Sequence, residues 1–344
     1  MASRMNLIPK PEALRIRDEL EKHYWKNAFK RMLKDWRLYV MLVPMLLIFI
    51  LWRYLPLYEL IAAFKADGIA SVPVIDRDFV GFFNFQDLLY GVASTGFWQA
   101  FRNTFILSFY GMLFGFPIPI ILALMFNEIR SNGYRSVLQV LTYLPRFVSA
   151  VVITTLTAML LQRSGTFSEA GILAQVLNKL GLVADNQLPI GMMYIPSYFR
   201  SVFQVSGIWE SAGYDSIVFF AAIIGISPTS YEAARIDGAS KMAQIRYVVL
   251  PSILSTITIM LILRVGGLLT IGFERVLLMY NSHTLVTADV ISTYVAALAG
   301  IQAGGGVARQ SLASAADLMG AVTSMLLVMG ANMISRRASE TSLY

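Results

Sequence analysis

The chain has 344 residues, of which 56% are hydrophobic and 14% are charged, and its mean hydropathy is +0.61. Soluble domains carry about 25% charged residues, so this composition indicates a protein that crosses a membrane several times. The net charge of +7 fits basic loops beside membrane spans without any role for nucleic acid, and the absence of cysteine from the sequence excludes disulfides, thiol nucleophiles and cysteine metal sites.

The N-terminal segment, residues 1–37, is charged and lacks the apolar core of a cleavable signal peptide. It contains a run of lysines and arginines that precedes the first apolar segment. By the positive-inside rule, this pattern predicts an N-terminus in the cytoplasm. The stretch 25–36 is predicted to be an amphipathic helix on the inner leaflet.

Apolar runs predict the membrane spans, because roughly 20 helical residues cross the hydrocarbon core. Six such runs lie at about 38–60, 97–127, 137–162, 202–226, 248–273 and 310–334. With both termini inside, most of the 28 lysines and arginines fall in cytoplasmic segments. We therefore predict an all-α, multi-pass membrane domain over residues 38–335, with a cytoplasmic tail at 336–344 and a long loop between the first two spans that caps the outer face.

The second and third predicted spans depart from a plain apolar helix. Gly111 and Gly115 form a GxxxG pattern that favours close helix packing, and Pro117 with Pro119 predicts a kink or a local opening. Arg146 falls about 15 Å into the third span, near the bilayer midplane. An ionisable side chain at that depth faces the bundle interior or a water-filled cavity, so Arg146 is either a substrate contact or the partner of a carboxylate.

The fourth predicted span is the least apolar, because polar and aromatic residues such as Trp209, Glu210 and Tyr214 interrupt its outer half. A helix this polar is expected to line a cavity, since buried polar groups need partners or water. Aromatic faces with polar handles suit a bound sugar; the alternative is an aromatic belt at the outer interface. Arg264 in the fifth span is a further candidate pathway residue, and it is also placed to pair with Asp317 in the sixth.

A polar stretch, residues 227–247, separates the fourth and fifth spans; we call it the elbow. Pro228 suits the first turn of a helix, and Thr229 with Glu232 fits a capping box. Gly238 is expected to end this helix. The charge pattern places the elbow on the cytoplasmic side.

A second short helix is predicted in the rest of the elbow. Its apolar stripe consists of Ala239, Met242 and Ile245. Pro251 follows, and because it cannot donate a backbone hydrogen bond it predicts a corner at the entry to the fifth span.

The triplet Glu232-Ala233-Ala234, the run Asp237-Gly238-Ala239 and the later Leu250-Pro251 resemble the signature loop of bacterial ABC-importer permeases, the membrane subunits of binding-protein-dependent transporters. Other segments resemble the maltose-type permeases, and among them a branch for oligo- and polysaccharide uptake. They occur in order along nearly the whole chain and include Val80–Phe85, Asn127–Arg130, Tyr143–Pro145 and Asp289–Tyr294. The chain departs from the pattern at Arg146, where related sequences often carry histidine, and over residues 300–309.

This resemblance implies a type I ABC-importer permease fold with six transmembrane helices and a cytoplasmic coupling helix, in the inner membrane of a bacterium. It also implies a complex with a second, homologous permease, two ATPase subunits and an extracytoplasmic solute-binding protein. The residues expected to dock on the ATPase are Tyr231, Glu232, Ala233, Ala234, Asp237, Gly238, Ala239 and Met242.

The sequence offers no enzyme site. No GxxxxGK[ST] pattern occurs in it, so ATP and Mg²⁺ are expected on the partner ATPase and this chain is expected to bind no cofactor. The two histidines, His23 and His283, fall on opposite sides of the membrane in the predicted topology, which disfavours a histidine metal site or a Ser/His triad. We predict a non-catalytic subunit with no metal.

The predicted substrate is an oligosaccharide or polysaccharide, and Arg146 in the pathway favours an acidic, uronate-containing one. Another solute, such as a glycerophosphodiester or a small sugar, is an alternative within the same class. A polysaccharide export or assembly protein is a second alternative, which would need neither the elbow nor a solute-binding protein. A membrane glycosyltransferase is a third, but it should show clustered carboxylates at the membrane surface, and the sequence has no such cluster.

Overall fold

The computed structural model of the chain describes residues 34–68, 72–161, 172–181, 192–269, 271–301 and 308–338. Across these ranges no β-strand is found, although Lys65 and Phe79 form an isolated antiparallel bridge. A helical chain follows from the long apolar runs, because in lipid a helix satisfies its backbone polar groups within one segment. The amphipathic helix predicted at 25–36 lies almost entirely outside the described residues.

The chain forms two units, Met1–Leu60 and Ile61–Tyr344. The described part of the first unit is helical: α1 (Trp36–Phe49) continues through a π-helical turn (Ile50–Tyr54) into a 3₁₀ segment (Leu55–Phe64). The side chains of residues 36–58 are exposed along this helix. Such an apolar and unburied helix is suited to contact with lipid or with other membrane helices.

The second unit contains the remaining helices. In chain order, those longer than a single turn are α2 (Phe83–Tyr90), α3 (Ser94–Tyr110), α4 (Pro117–Glu128), α5 (Asn132–Tyr143), α6 (Ala150–Leu161), α7 (Ile172–Lys179), α8 (Pro196–Ile224), α9 (Pro228–Ile236), α10 (Lys241–Gln244), α11 (Leu254–Gly266), α12 (Phe273–Met279), α13 (Leu285–Ala288), α14 (Ile291–Leu298) and α15 (Gln310–Ala338).

By length and composition, four helical runs are suited to cross a membrane: Trp36–Phe64, Ser94–Glu128, Pro196–Ile224 and Gln310–Met333. Two bent pairs raise the number to six if each pair is one span: Asn132–Phe147 with Ala150–Leu161, bent by 102°, and Lys241–Ser252 with Leu254–Gly266, bent by 63°. The predicted all-α architecture is therefore found, and two of the six predicted spans correspond to these bent helix pairs.

Of these two bends, the one after α5 was not predicted from the sequence, and the other was predicted at the wrong residue. The span predicted at 137–162 is interrupted, because a 3₁₀ turn (Leu144–Phe147) follows α5 and Val148 is extended before α6 begins. The corner predicted at Pro251 lies instead at Ile253, where the backbone leaves helical geometry. Pro251 occupies the first turn of a new helical segment after a π-helical turn (Ile245–Val249), and proline is tolerated at that position.

The second span is opened locally beside its prolines. A π-helical turn (Gly111–Gly115) separates α3 from α4, and Pro117 is the first residue of α4. A proline lacks the backbone N–H that would continue the α-helical ladder, and a π turn accommodates the lost hydrogen bond. The local opening predicted for this span is therefore present.

Three apolar clusters of described residues hold the second unit together. One lies at the start of α3 and α15 and contains Ala63, Leu88, Phe97, Leu312, Ala315 and Ala316. A second contains Leu107, Phe199, Val276, Met279, Ala288 and Val290. The third packs the end of α4 on α8 beside the elbow and contains Ala123, Phe219, Ile223, Val249 and Ile253.

The loop between the first two spans packs on the start of the last helix. Asn84 Nδ2 donates to the carbonyls of Ala63 (2.9 Å) and Lys65 (2.8 Å). Arg309 joins two carboxylates of this loop, Asp67 at 3.1 Å and Asp87 at 3.0 Å. These contacts hold the described part of the loop, including α2, against the start of α15.

Candidate translocation cavity and coupling elbow

A cavity of about 600 Å³ lies inside the second unit. Its wall combines the π-helical turn of the second span, the bend after α5, the middle of α8, the end of α11 and the start of α12. The charged residues on this wall are Arg146, Glu210, Asp215, Arg264, Glu274 and Arg275. Volumes of about 300–1,000 Å³ are typical of small-molecule sites.

Three of the five predicted pathway residues, Arg146, Glu210 and Arg264, meet on this wall. The other two, Trp209 and Tyr214, lie outside it; both are exposed, and Tyr214 packs edge-on against Phe147 with ring centroids 5.9 Å apart. Neighbouring residues of a helix point in different directions, so the face of α8 that carries Glu210 is not the face of Trp209. The cavity expected along the fourth span is present.

Glu210 is held between two arginines. Arg146 Nη1 lies 3.4 Å from Glu210 Oε1, and Arg275 Nη1 lies 3.4 Å from Glu210 Oε2. Of the two roles left open by the sequence, the structure shows the carboxylate pair; Arg146 also lies on the cavity wall, and a contact with substrate stays a prediction.

Arg275 was missed by sequence reasoning, which assigned it to an outer loop. Its Nη2 donates to Ser206 Oγ at 2.8 Å and to the carbonyl of Phe203, and its guanidinium lies 4.5 Å from the centroid of the Phe203 ring. Gly207 makes room for it, because a Cβ at that position would lie 2.5 Å from Arg275 Nη1. The available signal was a single arginine within the otherwise largely apolar stretch Phe273–Met279.

Arg264 is the cavity arginine without a carboxylate partner among the described residues. The ion pair predicted with Asp317 is not found among the described residues; Asp317 is exposed on α15 and does not line the cavity. The guanidinium of Arg264 lies instead beside Gly111 and Gly115, where a Cβ would approach its Nη2 to 3.9 and 3.7 Å. The GxxxG glycines therefore border the cavity, a position that the packing interpretation did not include.

A second cavity of about 230 Å³ adjoins the first. Gly115, Asp215, Leu263 and Arg264 line both cavities. The second cavity is otherwise apolar, with Phe116, Pro119, Phe219 and Met260 on its wall. Arg264 thus lies at the junction of a charged compartment and an apolar one.

The elbow consists of α9 and α10 joined at Gly238. Gly238 has a φ of +75°, which explains the glycine, because other residues rarely adopt a left-handed backbone. The predicted capping box is wrong: Ser227 is the N-cap, no side-chain cap bond forms, and the Ser227 and Thr229 hydroxyls pair with each other at 2.7 Å. Ser240 caps α10 by accepting from the Ala243 N–H at 3.3 Å.

The predicted coupling residues form the outer surface of the elbow. Ala234 and Ala239 are half-buried, Tyr231 is half-buried against the bundle, and the others are exposed: Glu232, Ala233, Asp237, Gly238 and Met242. No atom lies within 4 Å of a Cβ built on Gly238. The elbow surface around Gly238 is therefore not covered by other described residues of the chain.

The elbow is attached to the ends of α4 and α8. Lys241 Nζ lies 2.8 Å from Glu128 Oε2, and a cavity of about 380 Å³ between the elbow and these helix ends is lined by Asn127, Tyr231 and Arg235 among others. Burial and, to a smaller degree, the charge of Glu128 raise the pKa of the Tyr231 phenol. Within the described ranges, no group of three His, Cys, Asp or Glu side chains is arranged to hold a metal ion.

Comparison with known proteins gives a family match over most of the chain. The family described as "Binding-protein-dependent transport system inner membrane component" matches residues 115–337. Protein LplB of Bacillus subtilis (strain 168) is 34% identical over 320 residues, which are 93% of this chain and 94% of LplB. The polygalacturonan/rhamnogalacturonan transport system permease protein YteP of the same strain is 30% identical over 319 residues, 93% of this chain and 94% of YteP.

Two solved structures are also similar. One is the crystal structure of a bacterial ABC transporter involved in the import of the acidic polysaccharide alginate: TM-score 0.78, 38% identity, 90% of this chain and 99% of that chain covered. The other is a bacterial alginate ABC transporter in complex with alginate pentasaccharide-bound periplasmic protein: TM-score 0.78, 37% identity, 92% and 99% covered. The similarity extends over nearly the full length of each matched chain.

Proposed function

Because the chain belongs to the family of binding-protein-dependent transport system inner membrane components, we propose that this ABC-importer permease carries an acidic oligosaccharide or polysaccharide through the cavity beside Arg264. Its similarity to permeases of alginate import and to a polygalacturonan/rhamnogalacturonan permease supports the substrate class. The single observation that carries the proposal is the guanidinium of Arg264, which faces the cavity without a carboxylate partner among the described residues.

The chemistry of the wall favours a carboxylate. Arg146 and Arg275 already share Glu210, whereas Arg264 has its donors available. A guanidinium presents its N–H groups in a planar fork that matches a carboxylate, and such charge-assisted bonds are roughly twice as strong as neutral ones. A uronate unit supplies that carboxylate, and its hydroxyls suit the polar side chains of Gln204 and Ser211 on the same wall.

The driving energy comes from other subunits in this proposal. The elbow residues Tyr231, Glu232, Asp237, Gly238 and Met242, with Ala233, Ala234 and Ala239 between them, dock on an ATPase subunit that holds ATP and Mg²⁺. A second, homologous permease, a second ATPase copy and an extracytoplasmic solute-binding protein complete the importer. ATP and the loaded binding protein must both favour the same bundle conformation, because a ligand shifts an equilibrium only by its differential affinity.

The same proposal includes the orientation of the chain in the membrane. Residues 1–37 and 336–344 are cytoplasmic, the membrane domain occupies 38–335, and the elbow at 227–247 faces the cytoplasm from a bacterial inner membrane. The lysines and arginines of the N-terminal segment, the elbow and the tail support this orientation. The chain itself supplies a pathway and a coupling surface, not a catalytic group.

The test is uptake by the complete complex in proteoliposomes, with uronate and neutral oligosaccharides of equal length. Arg264→Gln should lower uronate uptake about tenfold to a hundredfold, since a hydrogen bond to a charged group contributes about 1.5–3 kcal/mol, and should leave neutral uptake unchanged. Arg102→Gln is the matched control, because Arg102 is exposed on α3. Equal uptake of both sugars by the wild type, or an equal loss of both in Arg264→Gln, contradicts the proposal.

A phosphate diester is the second candidate, because the same unpaired guanidinium of Arg264 also suits a phosphate. Competition distinguishes the two. Excess glycerophosphodiester should not reduce uronate uptake if the cavity serves acidic sugars, and it should abolish uptake if the phosphate diester is the true substrate.

A further inference from the structure

We propose that Glu210 is an internal counter-ion that a substrate carboxylate displaces from Arg146, and that Arg275 permits this exchange by remaining on Glu210. The inference rests on the proposed function, because it requires an acidic substrate. It assigns a role in specificity to Arg275, a residue that need not touch the substrate, and it explains why one carboxylate in the cavity holds two arginines.

Arg275 and Glu210 form the fixed half of the arrangement. Apart from Glu210, Arg275 contacts the Ser206 hydroxyl, the Phe203 carbonyl and the Phe203 ring. All of these groups belong to one face of α8, as does Glu210. The Arg275 side chain is only 17% exposed, so α8 holds it in place whether or not Arg146 is present.

Arg146 forms the exchangeable half. Its side chain is 48% exposed, and the pair with Glu210 is the interaction found for it among the described residues. Both arginines lie 3.4 Å from Glu210, so the feature that distinguishes them is exposure, 48% for the Arg146 side chain and 17% for that of Arg275. Arg146 also lies in the 3₁₀ turn between two helices that meet at 102°. The Arg146–Glu210 pair therefore connects this bend to α8 across the cavity.

Arg275 removes the main electrostatic cost of breaking that connection. The Glu210 side chain is only 14% exposed, and a buried carboxylate that loses its only cation is strongly destabilising. With Arg275 in place, Glu210 keeps a cation when Arg146 turns to a substrate carboxylate. Each anion then has one arginine, so the substrate carboxylate neutralises the one positive charge that Glu210 alone leaves in excess.

A neutral sugar cannot drive this exchange, because it offers Arg146 only neutral acceptors in place of a carboxylate. The bend at Leu144–Phe147 then stays attached to α8. An acidic sugar releases the bend, while α5 remains packed on α8 where Gly213 meets Thr142. Selection for charge is thereby tied to a change in conformation as well as to binding.

The first test is stimulation of ATP hydrolysis in the reconstituted complex by binding protein loaded with uronate or with neutral oligosaccharide. The wild type should respond more strongly to the uronate form than to the neutral form. Glu210→Gln removes the charge that holds Arg146, so the unstimulated rate should rise and the ratio of the two stimulated rates should approach about one, which means no coupling. A ratio equal to that of the wild type overturns the exchange.

The second test is a rescue that distinguishes exchange from misfolding. Arg275→Gln leaves Glu210 dependent on Arg146 alone, so the uronate form should lose its stimulation. The double variant Glu210→Gln/Arg275→Gln leaves no buried charge without a partner, so it should recover ATPase activity. It should again not discriminate between the uronate and the neutral form. Failure of the double variant to recover while it folds as the wild type does overturns the role of Arg275.

A distance measurement gives an independent readout. The chain has no cysteine, so spin labels can be attached to Met159→Cys on α6 and Val205→Cys on α8, both of which are exposed positions. The distance should change with the uronate-loaded binding protein and not with the neutral form. If the wild type imports no uronate, the proposed function fails; if it imports uronate with an unchanged distance and a wild-type ratio in Glu210→Gln, only the exchange fails.

Discussion

Lys241 Nζ in the elbow lies 2.8 Å from Glu128 Oε2, the carboxylate of the last residue of α4. The other end of α4 begins at Pro117, directly beyond the π-helical turn that carries Gly111 and Gly115 along the cavity wall. One helix therefore extends from an ion pair with the elbow to the border of the cavity. We therefore expect a displacement of the elbow to be transmitted along α4 to the segment next to Arg264.

Lys241→Met should weaken coupling and leave stability almost unchanged. The two side chains are 62% and 39% exposed, and exposed pairs contribute about 0.2–1 kcal/mol, which limits the loss of coupling to about fivefold. The ratio of substrate imported to ATP hydrolysed measures this loss. Arg246→Met is the matched control, since Arg246 is exposed in the elbow, lies over the ring of Tyr247 and has no ion pair among the described residues. The swap Glu128→Lys/Lys241→Glu should restore the ratio; no recovery would indicate that the pair is not the connection.

Two substitutions at Gly238 distinguish the effect of backbone strain from the effect of a side chain that obstructs docking. Its φ of +75° is tolerated by asparagine and disfavoured for alanine, and the space around its Cβ is empty within the chain. Gly238→Asn should therefore fold normally and yet uncouple ATP hydrolysis from uptake, because its side chain projects into the surface that docks on the ATPase. Gly238→Ala should lower the unfolding temperature through strain of about 1–2 kcal/mol. Normal coupled transport by the folded Gly238→Asn variant contradicts the docking role.

The positions of the helices were predictable because the length of an apolar run is a local property. The run at 202–226 overlaps α8, and its polar interruptions correctly predicted a cavity. The break at Gly238 was predictable for the same reason, since glycine acts on its own backbone. The elbow motif and the positions of the helices could thus be predicted, because each depends on residues that are close together in the sequence.

The charge network was not predictable, because it joins distant parts of the chain. Glu210 lies 64 positions from Arg146 and 65 from Arg275, and nothing local in the sequence indicates which arginine reaches which carboxylate. Arg264 and Asp317 were predicted to be able to pair, yet Arg264 lies on the cavity wall and Asp317 does not. The 102° bend after α5 was missed because Pro145 marks a break without specifying its angle.

Gly213 is required where α8 meets α5. A Cβ at this position would overlap the carbonyl of Thr142, and a backbone obstacle cannot rotate away as a side chain can. Gly213→Ala should therefore destabilise the folded chain by about 1–3 kcal/mol, the usual cost of overpacking, which a lower unfolding temperature in detergent measures. Gly330→Ala is the control, because nothing lies within 4 Å of a Cβ there, and in a helix alanine is favoured over glycine by about 0.5–1 kcal/mol. Equal unfolding temperatures for the two variants contradict the close packing.

Asn103 lies in α3, the first half of the second span, and it holds in place the segment that contains α13 and leads into α14. Its Nδ2 donates to the carbonyls of Val286 (2.9 Å) and Asp289 (3.0 Å), and its Oδ1 accepts from Arg200 Nη2 at 3.1 Å. Asn103→Leu keeps the volume and removes the Asn103 partner of three part-buried polar groups, at a cost of at most about 1–3 kcal/mol for each group.

Limited proteolysis measures the effect of Asn103→Leu, and cleavage within residues 281–290 should become faster than in the wild type. Gln99→Leu is the matched control, since Gln99 reaches the same segment through one exposed 3.4 Å bond to Leu285. A surface bond of that length contributes little, so Gln99→Leu should be cleaved like the wild type. If the two variants are cleaved at the same rate, the segment is held by its apolar contacts in the cluster of Ala288 and Val290, and the hydrogen bonds of Asn103 are not what secures it.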